Sequence, residues 1–126
     1  MKTQLKILLS FVLIMVIGAF VVFLSKSYYP SLPIEGISKR EAVSLLNKSN
    51  QDLVMLYEAE SYNWYGFKGN QLNGSKALVK EAEQRNWLFQ EQLGSGYIFQ
   101  DSSNSIKIAE SQMWTGKYVL YKVEND

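Results

Sequence analysis

The chain has 126 residues, of which 47% are apolar and 13% aromatic, and a formal net charge of +1. After its apolar N-terminus, roughly 90 to 100 residues remain, enough for one small folded domain and too few for two. The sequence contains neither cysteine nor histidine. Disulfide-stabilised folds, thiol or imidazole catalysis and zinc sites built from these residues are therefore excluded.

The charges are unevenly distributed along the chain. Three of the thirteen basic residues, Lys2, Lys6 and Lys26, lie in the first 26 residues, which contain no acid. The remainder therefore carries ten basic residues against twelve acidic ones. Domains that bind nucleic acid need a basic surface to contact the phosphates. We therefore expect no nucleic-acid partner.

The N-terminal segment has the length and composition of a membrane-spanning helix. Residues Ile7 to Leu24 are uncharged, and Tyr28 and Tyr29 follow closely. At about 1.5 Å per residue, these eighteen residues span about 27 Å as a helix, close to the roughly 30 Å hydrocarbon core of a bilayer. Tyrosines just outside such a helix are typical of the membrane interface. We predict that it crosses the membrane.

We interpret residues 7–25 as a signal-anchor and residues 1–6 as a short cytoplasmic tail. The tail is basic and free of acid, which favours a cytoplasmic N-terminus and a C-terminal domain outside the cytoplasm. The alternative is a secreted protein, cleaved at the small-x-small match Ser25-Lys26-Ser27. A central lysine and an apolar run longer than the roughly 7 to 15 residues of signal peptides favour an uncleaved, single-pass anchor.

The segment of residues 26–37 contains Ser31, Pro33 and Gly36 and shows no periodicity. It is predicted to be a linker that lifts a domain of residues 38–126 off the membrane. Ser38-Lys39-Arg40-Glu41 fits a capping box, which predicts that a helix begins there. We expect this helix to end within residues 47–50 and to bury Ala42, Val43, Leu45 and Leu46.

The next segment, Leu53 to Ala59, fits both a helix and a strand. We predict a strand, paired with Asn63 to Lys68 across a turn at Glu60-Ser61. Asn73-Gly74 is expected to interrupt the chain, and Ser75 to cap a second helix that reaches about Asn86. Leu78, Val79 and Ala82 would face inward, and Glu81 and Arg85 would form an i,i+4 pair.

The C-terminal 40 residues have a β pattern. Four short runs, at residues 87–89, 97–99, 106–108 and 118–123, are separated by glycine and short polar residues typical of tight turns. Neighbouring strands this close in sequence must be antiparallel, so we predict a four-strand meander. The expected fold class is α+β: one N-terminal transmembrane helix, then two helices packed on a mostly antiparallel sheet.

No catalytic motif is found. Glu58 and Glu60 would lie about 6 to 7 Å apart on one strand face, a spacing that glycosidase carboxylates also show, but two acids on a solvated face are the simpler interpretation. Gly94-Ser95-Gly96 has no histidine to activate its serine and is interpreted as a hairpin turn. We predict no catalytic residue, cofactor or metal. An enzyme would have to use carboxylates such as Glu91, or a Ser/Lys pair.

Aromatic residues provide the only candidate ligand-binding positions. Tyr62, Trp64 and Tyr65 lie close together and near several amide side chains, and Trp114 lies beside a predicted hairpin tip. Such platforms stack on sugar rings or anchor protein partners. The competing interpretation is core packing, because alternation along a strand points neighbouring side chains in opposite directions.

These observations favour a membrane-anchored protein with a small extracytoplasmic binding or interaction domain. Its expected contacts are membrane lipid through the N-terminal helix and an envelope protein or wall glycan through the domain. One alternative is an inhibitor or immunity-like protein that binds a toxin or protease. Another is a hydrolase that depends on carboxylates or on Ser and Lys.

We expect the full-length chain to sediment with membranes and to retain its first residues, because threading Ile7–Leu24 through lipid costs less than leaving it in water. Membrane fractionation with N-terminal sequencing measures this. A C-terminal tag should be removed by protease added to intact cells. An intact chain that stays in the high-speed supernatant would contradict the anchor, and a protected tag would contradict the orientation.

Overall fold

The computed structural model describes residues 1–26, 28–49 and 52–125. Within these ranges, two helices follow the N-terminal helix and six strands complete the fold. In chain order the elements are α1 Lys2–Ser25, α2 Lys39–Lys48, β1 Leu53–Glu58, β2 Tyr62–Lys68, α3 Gln71–Gln84, β3 Leu88–Leu93, β4 Gly96–Gln100, β5 Ile106–Thr115 and β6 Tyr118–Glu124.

The strands form one six-stranded antiparallel sheet in the order β1-β2-β6-β5-β4-β3. The predicted α+β class is confirmed, and Leu53–Glu58 is a strand rather than a helix. The meander is not a separate four-stranded sheet. The hairpin β1–β2 joins it because β2 pairs with β6 along seven residue pairs, from Tyr62 with Glu124 to Lys68 with Tyr118.

The two domain helices cover opposite faces of this sheet. Trp64 and Leu120 belong to the core cluster that contains α2 residues, whereas Tyr65 and Tyr121 belong to the cluster that contains α3 residues. Alternation along β2 and β6 explains the division, because successive side chains of a strand point to opposite sides. We call the two sides the α2 face and the α3 face.

Helix α2 begins where the capping pattern predicts. The Ser38 side chain accepts a hydrogen bond from the backbone N–H of Glu41 at 3.1 Å. Ala42, Val43 and Leu46 are buried as expected, but Leu45 is 36% exposed, so its inclusion in the buried stripe was wrong. The helix meets the sheet along a narrower stripe than predicted. The helix ends at Lys48, within the predicted range of residues 47–50.

Helix α3 begins earlier than predicted. Asn70, not Ser75, is its N-cap, and the Asn70 side chain accepts from the N–H of Asn73 at 2.8 Å. Gly74 lies inside the helix, where an added Cβ would overlap the hydroxyl of Tyr121. This glycine was misinterpreted as a break because only the packed fold shows its role, which is to let the helix approach the sheet. The predicted pair of Glu81 and Arg85 is present at 3.7 Å.

Residues 28–37, expected to be a linker, form no helix or strand and pack on the α2 face. Ile34 is buried in the core cluster there. The indole N–H of Trp114 donates to the carbonyl oxygen of Pro30 at 2.9 Å, and the rings of Tyr29 and Trp114 meet edge to face at 5.3 Å. The Lys39 ammonium also donates to the Tyr29 carbonyl at 3.0 Å. The segment is therefore part of the domain.

Helix α1 is exposed along its whole length and carries no buried residue. By length and composition it can cross a membrane, a property that signal sequences near an N-terminus share. Ser27, the last residue of the predicted small-x-small match, lies outside the described residues.

The hydroxyl of Tyr121 is the tightest point of the α3 face. The side chain is fully buried, and its hydroxyl has no hydrogen-bond partner among the described residues. Burial raises the pKa of Tyr121 well above its usual range, and the nearby Tyr97 adds to the effect. The neutral phenol therefore persists at all physiological pH values, as a buried polar group whose desolvation is uncompensated.

We expect Gly74→Ala to destabilise the domain, although alanine favours a helix by about 1 kcal/mol over glycine. Overpacking a core costs about 1 to 3 kcal/mol, and the fully buried Tyr121 ring has no room to retreat. Tyr121→Phe should be neutral or stabilising and should remove most of the Gly74→Ala penalty. Denaturation of the full-length chain in detergent, followed by tryptophan fluorescence, measures this double-mutant cycle.

Gly116→Ala is the matched control, because a Cβ at Gly116 would have no heavy atom of the described residues within 4 Å. Equal stability changes for the two alanine substitutions would contradict the packing role of Gly74. Additive effects of Gly74→Ala and Tyr121→Phe would contradict the contact between them.

Candidate functional site

The four aromatic candidates are divided between the two cores and the surface. Trp64 and Trp114 are buried on the α2 face, and Tyr65 is buried on the α3 face. Of the four, Tyr62 alone is half-buried rather than buried. The polar tip of Tyr65 is also occupied, because the Arg85 guanidinium donates a hydrogen bond to its hydroxyl. The structure does not bring the four together into one stacking platform.

The carboxylates considered for catalysis lie apart on the surface. Glu58 ends β1, Glu60 lies in the turn that follows, and Glu91 belongs to β3. All three are exposed. Gly94 has a φ of 60° in the turn between β3 and β4, where the Gly94-Ser95-Gly96 run was predicted to form a hairpin turn. The Ser95 carbonyl there accepts from the Ser111 hydroxyl at 3.0 Å.

A partly uncovered region of the sheet presents aliphatic side chains to solvent. Helix α2 and residues 28–37 contribute to the core above β1, β2, β6 and the end of β5, and the rest of the α2 face lacks this cover. We call the exposed aliphatic side chains of β3, β4 and β5 on this side the open face. They are Leu88, Leu93, Ile106 and Ile108, which are 68%, 61%, 55% and 39% exposed, and the half-buried Ile98.

Strand register places these side chains on one side of the sheet. Ile98 lies opposite Ile108, and Gln100 lies opposite both Ile106 and Leu88. The reverse side of the same strands carries Tyr97, Phe99 and Ala109, all buried in the cluster that α3 joins. One side of β4 and β5 is therefore core and the other is solvent-exposed hydrocarbon.

A shallow cavity of about 380 Å³ lies where the open face meets the covered part of the sheet. Its lining residues are Ser61, Tyr62, Ile108, Glu110, Lys122, Glu124 and Asn125. The Lys122 ammonium lies 4.2 Å from the centre of the Tyr62 ring. Glu110 lies opposite Lys122 across β5 and β6, and Glu124 lies opposite Tyr62 across β6 and β2. One cation and two carboxylates thus border the aliphatic surface.

The rim of this cavity is braced by Asn125. Its side-chain amide donates to the carbonyl oxygens of Ala59 at 3.1 Å and Glu60 at 2.9 Å, and its backbone N–H donates to the Ser61 carbonyl at 3.1 Å. The Lys107 ammonium donates to the Asn125 carbonyl at 2.9 Å. The turn between β1 and β2 is therefore held against the end of β6.

This arrangement suits recognition of a partner. A contiguous aliphatic surface with a charged rim is the composition of protein-binding sites, and monomeric proteins rarely leave large patches of this kind exposed. Among the described residues, no group of three or more carboxylates or other metal-ligating side chains lies close enough to hold a metal ion.

The open face is not among the sites predicted from the sequence, although β5 carries a signal for it. Ile106, Ile108 and Glu110 alternate with Lys107, Ala109 and Ser111. The side that contains the two isoleucines is the one that stays exposed, whereas Ala109 on the other side is buried. Only the placement of α2 shows which side lacks a cover.

Comparisons with protein-family models, with curated proteins and with solved structures give no match for this chain.

We expect Trp114→Phe to loosen residues 28–37 from the domain. The substitution keeps an aromatic ring but removes the hydrogen bond to Pro30, which is worth about 1 kcal/mol. Limited proteolysis of the full-length chain should show faster cleavage between residues 28 and 37. Met113→Leu, at an exposed neighbour, is the control. Equal cleavage rates for both variants and the wild type would contradict the role of Trp114.

Proposed function

We propose that this protein is a single-pass membrane-tethered interaction module whose extracytoplasmic domain binds a protein partner through the open face. The observation that carries the proposal is the exposure of Leu88, Ile106 and Ile108 on one side of the sheet. Each large aliphatic side chain that a partner buries contributes about 1.5 to 3 kcal/mol of hydrophobic free energy. Several such residues on adjacent strands supply a specific surface.

The chemistry of the open face supports a protein partner over a wall glycan. Sugar rings stack on exposed aromatic faces, and Trp64, Tyr65 and Trp114 are buried. The exposed residues of the open face are leucine and isoleucine, which match apolar side chains of another protein. Lys122, Glu110 and Glu124 at its rim would set the orientation through charge pairing. An inhibitor or immunity-like role is the special case in which the bound protein is a toxin or protease.

The character of α1 supports the tether. Its first residues include Lys2 and Lys6, and the Lys26 ammonium at its end lies 4.3 Å from the Phe23 ring centre. Lysines at both ends with aromatic rings beside the second are typical of helices anchored at two membrane interfaces. Residues 28–37 follow α1 directly and pack on the α2 face, the side of the sheet that also carries the open face, which favours a membrane protein as partner.

Site-specific photo-crosslinking from position 108 in living cells tests the proposal. We expect a distinct adduct with one membrane or envelope protein, lost when Ile106→Lys is added, because a charge on the open face cannot be buried unpaired. Gln84→Lys, on the exposed side of α3, adds the same charge elsewhere and should leave the adduct unchanged.

The stability of each variant is measured by thermal unfolding, and equal stabilities assign the lost adduct to the surface. An adduct that survives Ile106→Lys, or one that Gln84→Lys abolishes equally, contradicts binding through the open face. Adducts confined to wall glycan would replace the protein partner with a carbohydrate.

A further inference from the structure

Strand β3 is an exposed edge of the sheet. Among the described residues it pairs with β4 alone, and all six of its residues are exposed. Natural edge strands are usually blunted by charged side chains, above all lysine, by proline, by β-bulges or by a covering segment. The sequence of β3, Leu-Phe-Gln-Glu-Gln-Leu, contains no lysine or proline, and its one charge, Glu91, lies next to the register irregularity. At the other edge, Gly36 lies so close to the Tyr57 ring of β1 that a Cβ there would overlap it, so residues near the linker reach that edge.

The sequence of β3 is complementary to itself when two copies run antiparallel. The pairing register shifts between Phe89 and Glu91, so Leu88 and Leu93 both lie on the α2 side, opposite Gln100 and Gly96. Phe89 and Gln92 both lie on the α3 side, opposite Phe99 and Tyr97. In an antiparallel pair, directly opposite residues share a face. A two-fold pairing can place Leu88 of one copy opposite Leu93 of the other, and Phe89 opposite Gln92. The two residues of each pair then lie on the same side of the sheet, as an antiparallel pair requires.

Without the irregularity this register would be impossible. Residues five apart on a regular strand, such as Leu88 and Leu93, point to opposite faces. The irregularity at Gln90 is therefore what makes the strand match a second copy of itself.

The side chains in this register are compatible in size and charge. Leu88 of each copy meets Leu93 of the other on the open face, which joins the two aliphatic surfaces. Phe89 of the second copy comes opposite Gln92, which lines a cavity of about 340 Å³ beside Val79 and Tyr97. Glu91 comes opposite Gln90 rather than another Glu91, so no two carboxylates are paired.

We propose that two copies of this chain associate edge to edge through β3, in the register that places Leu88 opposite Leu93. The two six-stranded sheets then become one continuous sheet. The two-fold axis is perpendicular to the sheet, so residues 28–37 lie on the same side in both copies. The inference rests on the edge strand and does not require the partner proposed for the open face.

Membrane confinement compensates for the modest size of a single-strand interface. Two anchored copies meet in one plane with restricted orientations, which raises their effective concentration as a linker does. An association of two copies that is too weak to persist in dilute solution is thereby favoured in the membrane.

The absence of native cysteine permits a direct test in membranes. Opposite residues of an antiparallel pair have Cα atoms about 4.5 to 5.5 Å apart, within the range that a disulfide bridges. The full-length chain carrying both Leu88→Cys and Leu93→Cys should form a disulfide-linked dimer as its main species after mild oxidation. Both positions are highly exposed, so the substitutions leave the core intact.

The single variants Leu88→Cys and Leu93→Cys should remain monomeric. In the proposed register, each cysteine lies about five residues, or roughly 16 Å along the strand, from the same cysteine of the other copy. A pair at exposed positions of the other edge strand, Met55→Cys with Glu58→Cys, should also stay monomeric. A monomeric double variant, or equal dimer formation by the single variants or the β1 pair, overturns the proposal. Adding Ile108→Lys should leave the dimer unchanged, which separates this interface from partner binding.

Discussion

The pairing of β2 with β6 is the interaction on which the rest of the structure depends. It joins an N-terminal hairpin to a C-terminal meander and places large side chains on both sides of the shared strands: Trp64 and Leu120 on one, Tyr65 and Tyr121 on the other. A sheet that is apolar on both faces in its centre requires two separate covers. Helix α3 supplies one, and α2 with residues 28–37 supplies the other.

The two covers differ in completeness, and this difference creates the candidate site. Beneath α3, Tyr97 and Phe99 of β4 are buried, and the Trp87 ring lies between the Phe99 ring and the Arg85 guanidinium. On the other side, the ten-residue helix α2 is too short to reach β3 and β4, since a helix rises about 1.5 Å per residue. Leu88, Ile106 and Ile108 stay in water for that reason, beside a charged cavity that Asn125 braces.

The packing of the segment that connects α1 to the domain also follows from the incomplete cover of the α2 face. The α2 face lacks cover, so Tyr29 and Ile34 supply part of it and are held by Trp114 through ring packing and a hydrogen bond to Pro30. A segment that a free linker would leave mobile is thereby ordered.

The sequence by itself determined the elements whose signals are local. The uncharged run of α1, the Ser38 cap of α2 and the turns of the meander depend on neighbours within a few residues. The tertiary structure alone decided which sides these elements cover. Gly74 has the local pattern of a helix break, but in the fold it lies inside α3 and contacts Tyr121. Trp114 was predicted beside a hairpin tip, and it is a core residue. Burial depends on which distant segments pack together, and the exposed side of β5 is fixed by the length and position of α2, information that no local pattern contains.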